Sequence, residues 1–134
     1  MANLEKVEGI GQVYAKKLQD AGIKNTDMLL EKGSTKKGRE DLAKKSDVPA
    51  HLLLEWVNHV DLFRVKGVGG QYADLLEAAG VDTVPELSKR KADNLHKKMA
   101  ELNEEKKLVR QLPSEKQVKG WIDQAKALPR MIKY

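Results

Sequence analysis

The sequence predicts an all-α protein made of two tandem repeats, and three observations predict it. Residues 4–29 and 62–87 align at an offset of 58 without a gap, a second block repeats at an offset of 65, and no alternating run long enough for a strand occurs in the 134 residues. The first block reads Leu4-Glu-Lys-Val7-Glu-Gly9-Ile10-Gly11, then Tyr14-Ala15, Leu18, Ala21-Gly22-Ile23 and Leu29. Its second copy reads Leu62-Phe-Arg-Val65-Lys-Gly67-Val68-Gly69, then Tyr72-Ala73, Leu76, Ala79-Gly80-Val81 and Leu87. In the other block Leu53, Trp56, Val57, Val60 and Phe63 match Val118, Trp121, Ile122, Ala125 and Leu128, so the second copy has gained seven residues between its blocks. About nine helices are expected, with repeat 1 over residues 1–64, repeat 2 over 65–128 and a C-terminal tail over 129–134. The two repeats are expected to share one core through their Trp-bearing helices.

Taken along the chain, each glycine pair lies just ahead of a helix. Gly9-Ile10-Gly11 follows Val7, and Gly67-Val68-Gly69 follows Val65. A glycine, an apolar plug and a second glycine suit a tight helix-to-helix turn, with both glycines free to take positive φ and the plug turned inward. Gly22 and Gly80 each follow an Ala-rich helix end and precede Ile23 or Val81, the pattern of a left-handed stop with an apolar anchor. Pro49 suits the first turn of the helix carrying Trp56, with Ser46 or Asp47 as its cap. Thr83-Val-Pro-Glu86 and Ser114-Glu-Lys-Gln117 read as capping boxes. The Trp blocks place apolar residues at i, i+3, i+4, i+7 and i+10, one stripe of a helix. Trp56 and Trp121 therefore read as core rather than as stacking platforms, and an aromatic content of 4% leaves little for single-strand stacking.

Composition narrows the function classes. Hydrophobic residues are 40% and charged residues 34%, a globular balance. There is no cysteine, which excludes disulfides and thiolate metal sites and favours a reducing, cytoplasmic setting. No apolar run is long enough to span a membrane, and residues 1–6 lack a signal-peptide core. The net charge is +5, with residues 65–134 carrying +4 of it, which permits a polyanionic partner. Catalytic and cofactor readings find no support. There is no Ser in a plausible triad and no Gly-Lys-Ser/Thr loop, and Gly-x-Gly here lacks the strand and third glycine of a dinucleotide site. His51, Glu55 and His59 fall at i, i+4 and i+8, but the outer two are about 12 Å apart along a helix, so they read as surface residues rather than zinc ligands.

The start of a helix behind each glycine pair presents unsatisfied N–H groups and a positive dipole end, which suits a phosphate. These residues closely resemble the helix-hairpin-helix motif: Leu4, Val7, Gly9, Ile10, Gly11, Ala15 and Leu18 fit its pattern, as do Leu62, Val65, Gly67, Val68, Gly69, Ala73 and Leu76. The whole chain is similar to an uncharacterised bacterial family of tandem helix-hairpin-helix proteins, a domain of unknown function. The resemblance implies a SAM-like tandem hairpin architecture, and by relation to better-known hairpin proteins it implies grip on the sugar–phosphate backbone of duplex DNA. Carried onto this sequence, the contacts are Gly9, Ile10 and Gly11 with Lys16 and Lys17, and Lys66, Gly67, Val68, Gly69 and Gly70. Lys36, Lys37, Arg39, Lys44 and Lys45 on one helix, and the denser cluster Lys89, Arg90, Lys91, Lys97 and Lys98, read as solvated helix faces, the second being the better candidate for a phosphate contact because it follows the second hairpin.

Two departures matter. Many DNA-binding hairpins carry Lys or Arg two positions after the second glycine, where this chain has Val13 and Gln71, and Glu8 stands where the second copy has Lys66. The second hairpin is therefore expected to be the better binder. The expected function is non-enzymatic, largely sequence-independent binding of duplex DNA by a monomer, as an accessory to repair or recombination. The alternatives are a protein–protein adaptor with purely structural hairpins, and a binder of structured RNA.

Overall fold

The computed structural model describes residues 3–7 and 9–133. A 3-10 turn at Leu4–Lys6 leads into α1 (Gln12–Asp20), α2 (Thr26–Gly33), α3 (Lys36–Ser46), α4 (Ala50–Leu62), α5 (Gly70–Ala78), α6 (Val84–Ser88), α7 (Ala92–Lys106) and α8 (Glu115–Ala127). Among the described residues there are no strands, so the fold is all-α as expected. Against about nine helices expected, the described residues form eight α-helices and this three-residue 3-10 turn.

Both copies of the glycine segment follow one backbone path. Val7 N–H donates to Leu4 O at 3.1 Å, Ile10 N–H to Val7 O at 3.1 Å and Ala15 N–H to Gly11 O at 2.9 Å. The second copy repeats these bonds from Val65, Val68 and Ala73 to Leu62, Val65 and Gly69 at 3.1, 3.1 and 2.9 Å. The path requires positive φ at the first glycine of each pair, +92° at Gly9 and +96° at Gly67. Ile10 and Val68 turn inward and are buried. A side chain on Gly9 would start 3.2 Å from Trp56 Nε1, and one on Gly67 would start 3.0 Å from Trp121 Nε1. Tyr14 closes on Trp56 with ring centroids 5.1 Å apart, and Tyr72 on Trp121 at 5.3 Å. The helix stops match as well: Ile23 N–H reaches Leu18 O and Val81 N–H reaches Leu76 O, both at 2.9 Å, across left-handed Gly22 and Gly80.

The described chain divides into two compact units, Met1–Asp61 with Met131–Tyr134, and Leu62–Arg130. In the first, α1 and α2 pack on α3, and Leu18 of α1, Leu29 of α2 and Leu53 of α4 are fully buried. Three expectations change here. Ser46 and Asp47 do not cap α4: the Ser46 hydroxyl donates back to Leu42 O at 2.7 Å and Asp47 is the left-handed C-cap of α3, while Pro49 O accepts from Leu52 and Leu53. Arg39 is not part of a solvated face. It is buried, donating to Gly33 O at 2.8 Å and to Lys133 O at 3.0 Å, which satisfies a guanidinium that the core would otherwise reject. The C-terminal segment is held there by this bond, by Lys133 N–H donating to Ser34 O at 2.7 Å, and by the buried Ile132 side chain. Thirdly, His59 is buried while His51 and Glu55 are exposed, so that trio is split between interior and solvent.

In the second unit α6 and α7 pack on α8 and α5 packs on α7, around Leu76, Leu87, Met99, Val118 and Trp121. The capping box at Ser114 and Gln117 is complete. At α6 only the Thr83 half forms, because the Glu86 carboxylate turns to Arg90 instead.

The two glycines of a pair should respond differently to the same substitution. Gly67→Ala puts a side chain at positive φ and against an indole, and should cost about 1–3 kcal/mol in urea unfolding. Gly69→Ala should cost less than about 1 kcal/mol. Ile132→Ala should destabilise by about 2–4 kcal/mol, the cost of emptying a buried site.

Candidate functional site

The second glycine of each pair is where the two glycine turns become chemically distinctive. Gly11 and Gly69 are the N-caps of α1 and α5, and neither supplies a side-chain acceptor. The first intrahelical bonds are those from Ala15 and Ala73, so the N–H groups of Gln12, Val13 and Tyr14, and of Gly70, Gln71 and Tyr72, have no intrahelical acceptor. Four other helices are capped by side chains, Asn25 accepting at 2.9 Å, Thr35 at 3.0 Å, Thr83 at 3.4 Å and Ser114 at 3.1 Å, whereas α7 starts behind Lys91 without a side-chain cap.

Glycine is not needed at either N-cap for conformation or for packing. Gly11 lies at φ −88°, ψ −172° and Gly69 at φ −97°, ψ −171°, extended values open to any residue. A side chain at either position would meet nothing within 4 Å. This corrects the expectation that both glycines of a pair serve positive φ: only the first does. What the second glycine provides is bare backbone, with room for an outside group to approach N–H donors closely.

The expected cations divide into three groups. Lys16 and Lys66 are exposed near their glycine turns, and the Lys66 backbone is fixed by the Gln124 side-chain amide, which accepts from its N–H at 2.8 Å and donates to its carbonyl at 3.2 Å. Lys17 is half-buried, 5.8 Å above the Tyr14 ring and 3.7 Å from the Asp47 carboxylate. Lys89 and Lys91 are exposed, but Arg90 between them bonds to Gly80 O at 3.0 Å and Glu86 Oε1 at 2.9 Å. Gly80 follows the C-terminal end of α5, and nine residues put the two ends of α5 about 13 Å apart, so Arg90 sits away from Gly69 and Gly70. Near it, partial burial raises the pKa of the Asp82 carboxyl from its ordinary value and Glu86 and Glu77 add to the rise, while a backbone hydrogen bond and Arg90 oppose it.

The structure also brings in a residue that the motif pattern does not contain. A shallow cleft of about 420 Å³ is lined by Gly67, Gly69, Gly70, Gln71 and Tyr72 on one side and by Val109, Arg110 and Gln111 on the other. Arg110 lies in the stretch where the second copy is longer than the first, and that gap in the repeat alignment was the available signal. The first copy presents something different: Val13, on the first turn of α1, is 69% exposed. No helix among the described residues is long and apolar enough to cross a membrane.

Comparison with known proteins gives one family match, over residues 8–128, to the family described as Domain of unknown function (DUF4332). No curated protein and no solved structure matches the chain.

Arg90 should behave as a structural residue. Arg90→Ala is expected to lower stability by about 1 kcal/mol, through loss of its bonds to Gly80 and Glu86. Lys91→Ala, by contrast, should stay within about 0.5 kcal/mol of the parent in the same denaturation experiment.

Proposed function

We propose, for a chain that belongs to this family of unknown function, that it binds duplex DNA without catalysis and with little regard to sequence, through two helix-hairpin-helix repeats whose helix starts receive backbone phosphates. The observation that carries this reading is the pair of bare glycine N-caps. An ordinary N-cap side chain would satisfy one of those N–H groups internally; here no N-cap side chain among the described residues does so, and an anion is the acceptor that the helix dipole favours. Phosphate contacts position a protein without reading bases, which fits an accessory to repair or recombination. The second hairpin is the principal site, because Lys66 adds positive charge beside Gly67. A second reading has one observation in its favour. The exposed Val13 offers an apolar contact at the first helix start, which suits a protein partner at that copy.

Gly69→Asp separates binding from folding. An aspartate at the N-cap accepts from the first-turn N–H groups of α5 and complements its dipole, so stability should hold or rise by a few tenths of a kcal/mol to about 1 kcal/mol. The same carboxylate repels phosphate, so affinity for a labelled duplex, followed by fluorescence anisotropy, should fall at least about ten-fold. Wild type should show a log–log salt slope of roughly −4 to −5, for about four to six phosphates neutralised. No binding by wild type at low salt, or binding unchanged in Gly69→Asp, would overturn the reading and leave the adaptor. A better competition by A-form RNA duplex would reassign the polyanion to structured RNA.

A further inference from the structure

Resting on that reading of the second hairpin, we infer that the connection between α7 and α8 is a built arm that sets Arg110 against the same phosphate. The two copies differ most clearly here. After α3 the left-handed cap Asp47 is followed by only residues 48–49 before α4 begins; after α7 the left-handed cap Lys107 is followed by residues 108–114 before α8. An insertion on a surface connection needs no ordering of its own, yet this one is tied down on both sides of Arg110.

Upstream, the Asn103 side-chain amide donates to Val109 O at 3.1 Å and accepts from Val109 N–H at 2.9 Å, and the Val109 side chain is buried. Downstream, Tyr72 Oη donates to Gln111 O at 3.1 Å, and His96 Nε2 lies 2.8 Å from Pro113 O. Tyr72 belongs to the first turn of α5, so the arm is fastened to the very turn whose N–H groups are open.

Arg110 itself is exposed and makes no hydrogen bond or ion pair to any described residue. It shares the cleft with Gly67, Gly69 and Gly70, the bare backbone where a side chain on Gly69 would meet nothing within 4 Å. An open guanidinium carried on a tethered backbone and a row of N–H donors without intrahelical acceptors, lining one open cleft, are complementary to a group with several anionic oxygens. A phosphodiester matches this better than a point charge does, because a guanidinium presents paired donors to two oxygens at once. Arg110 thus supplies, from a separate segment, the cation that Gln71 does not supply from α5. The first copy has no corresponding arm, which makes the second hairpin the tighter grip.

The test is the duplex salt series with Arg110→Ala, Arg110→Lys and, as a charge control, Lys116→Ala on the exposed first turn of α8. Arg110→Ala should leave the melting temperature unchanged, reduce the salt slope by about 1 and weaken binding roughly eight-fold at 0.1 M salt. Arg110→Lys should keep the slope and recover only part of the affinity. Lys116→Ala should change affinity by less than about two-fold. In Gly69→Asp/Arg110→Ala the losses should be less than multiplicative, since both act on one phosphate. Loss in Arg110→Ala no greater than in Lys116→Ala would overturn the arm's role while wild-type binding and the Gly69→Asp loss left the hairpin reading standing. Absence of wild-type binding would remove both. Competition by poly-glutamate as strong as by duplex of equal charge would overturn the phosphodiester assignment.

Discussion

Each repeat is organised by one close approach, an indole against the backbone of the first glycine. Trp56 stands where a side chain on Gly9 would begin, and Trp121 does the same for Gly67. The consequences run in both directions along the chain. Positive φ at that glycine turns the backbone so that Ile10 or Val68 points inward, and within two residues the next helix begins. The tyrosine on the first turn of that helix then packs on the same indole. A buried tryptophan late in each repeat thereby aims the start of a helix early in it. Without the glycine the ring has no seat, and without the ring the turn has nothing to close on.

The parts of this arrangement that depend on near neighbours were legible in the residues. The stops at Gly22 and Gly80, the box at Ser114 and the inward plugs need only a few adjacent positions, and each formed as its local pattern required. What the pattern could not carry was competition between neighbouring elements for one group. Ser46 and Asp47 are good N-cap residues for α4, but α3 ends on them first, with the hydroxyl bonded back to Leu42 and the aspartate in the left-handed cap. Glu86 has the spacing of a capping box, but Arg90 one turn on takes its carboxylate. The second glycine of each pair is a subtler case: its residue type suggested positive φ, whereas its backbone is ordinary and its significance lies in the empty space around it.

Long-range pairing hid the rest. Arg39 reads as one more lysine-rich surface position until a carbonyl from residue 133 arrives to satisfy it, a separation of 94 residues. The same contact answers what the C-terminal segment does: Ile132 fills a buried site and its neighbour's backbone completes the hydrogen bonding of a guanidinium. Charge counting along the sequence treats all cations alike. In the structure Arg39 and Arg90 hold backbone carbonyls, Lys17 leans on a tyrosine ring, and Lys16, Lys66 and Arg110 stay exposed.

That sorting bears on how two copies of one turn come to differ. The backbone path is the same to within a few degrees at its glycines, so the folding requirement is met equally by both. Their surroundings are not equal. The first copy offers Val13 to solvent beside its open N–H groups, and the second offers Gln71 there with Arg110 across a cleft. A glycine at the N-cap forgoes only about a few tenths of a kcal/mol relative to a serine or aspartate, which leaves the first-turn N–H groups open at little cost to folding. Both copies forgo it, although four other helices in the chain do not. α7, behind Lys91, also starts without a side-chain cap, so what sets the two glycine starts apart is the bare backbone at Gly11 and Gly69. The difference between the copies traces to the longer connection ahead of α8: the turn itself is shared, and a segment outside the repeated pattern sets Arg110 on the cleft of one copy alone.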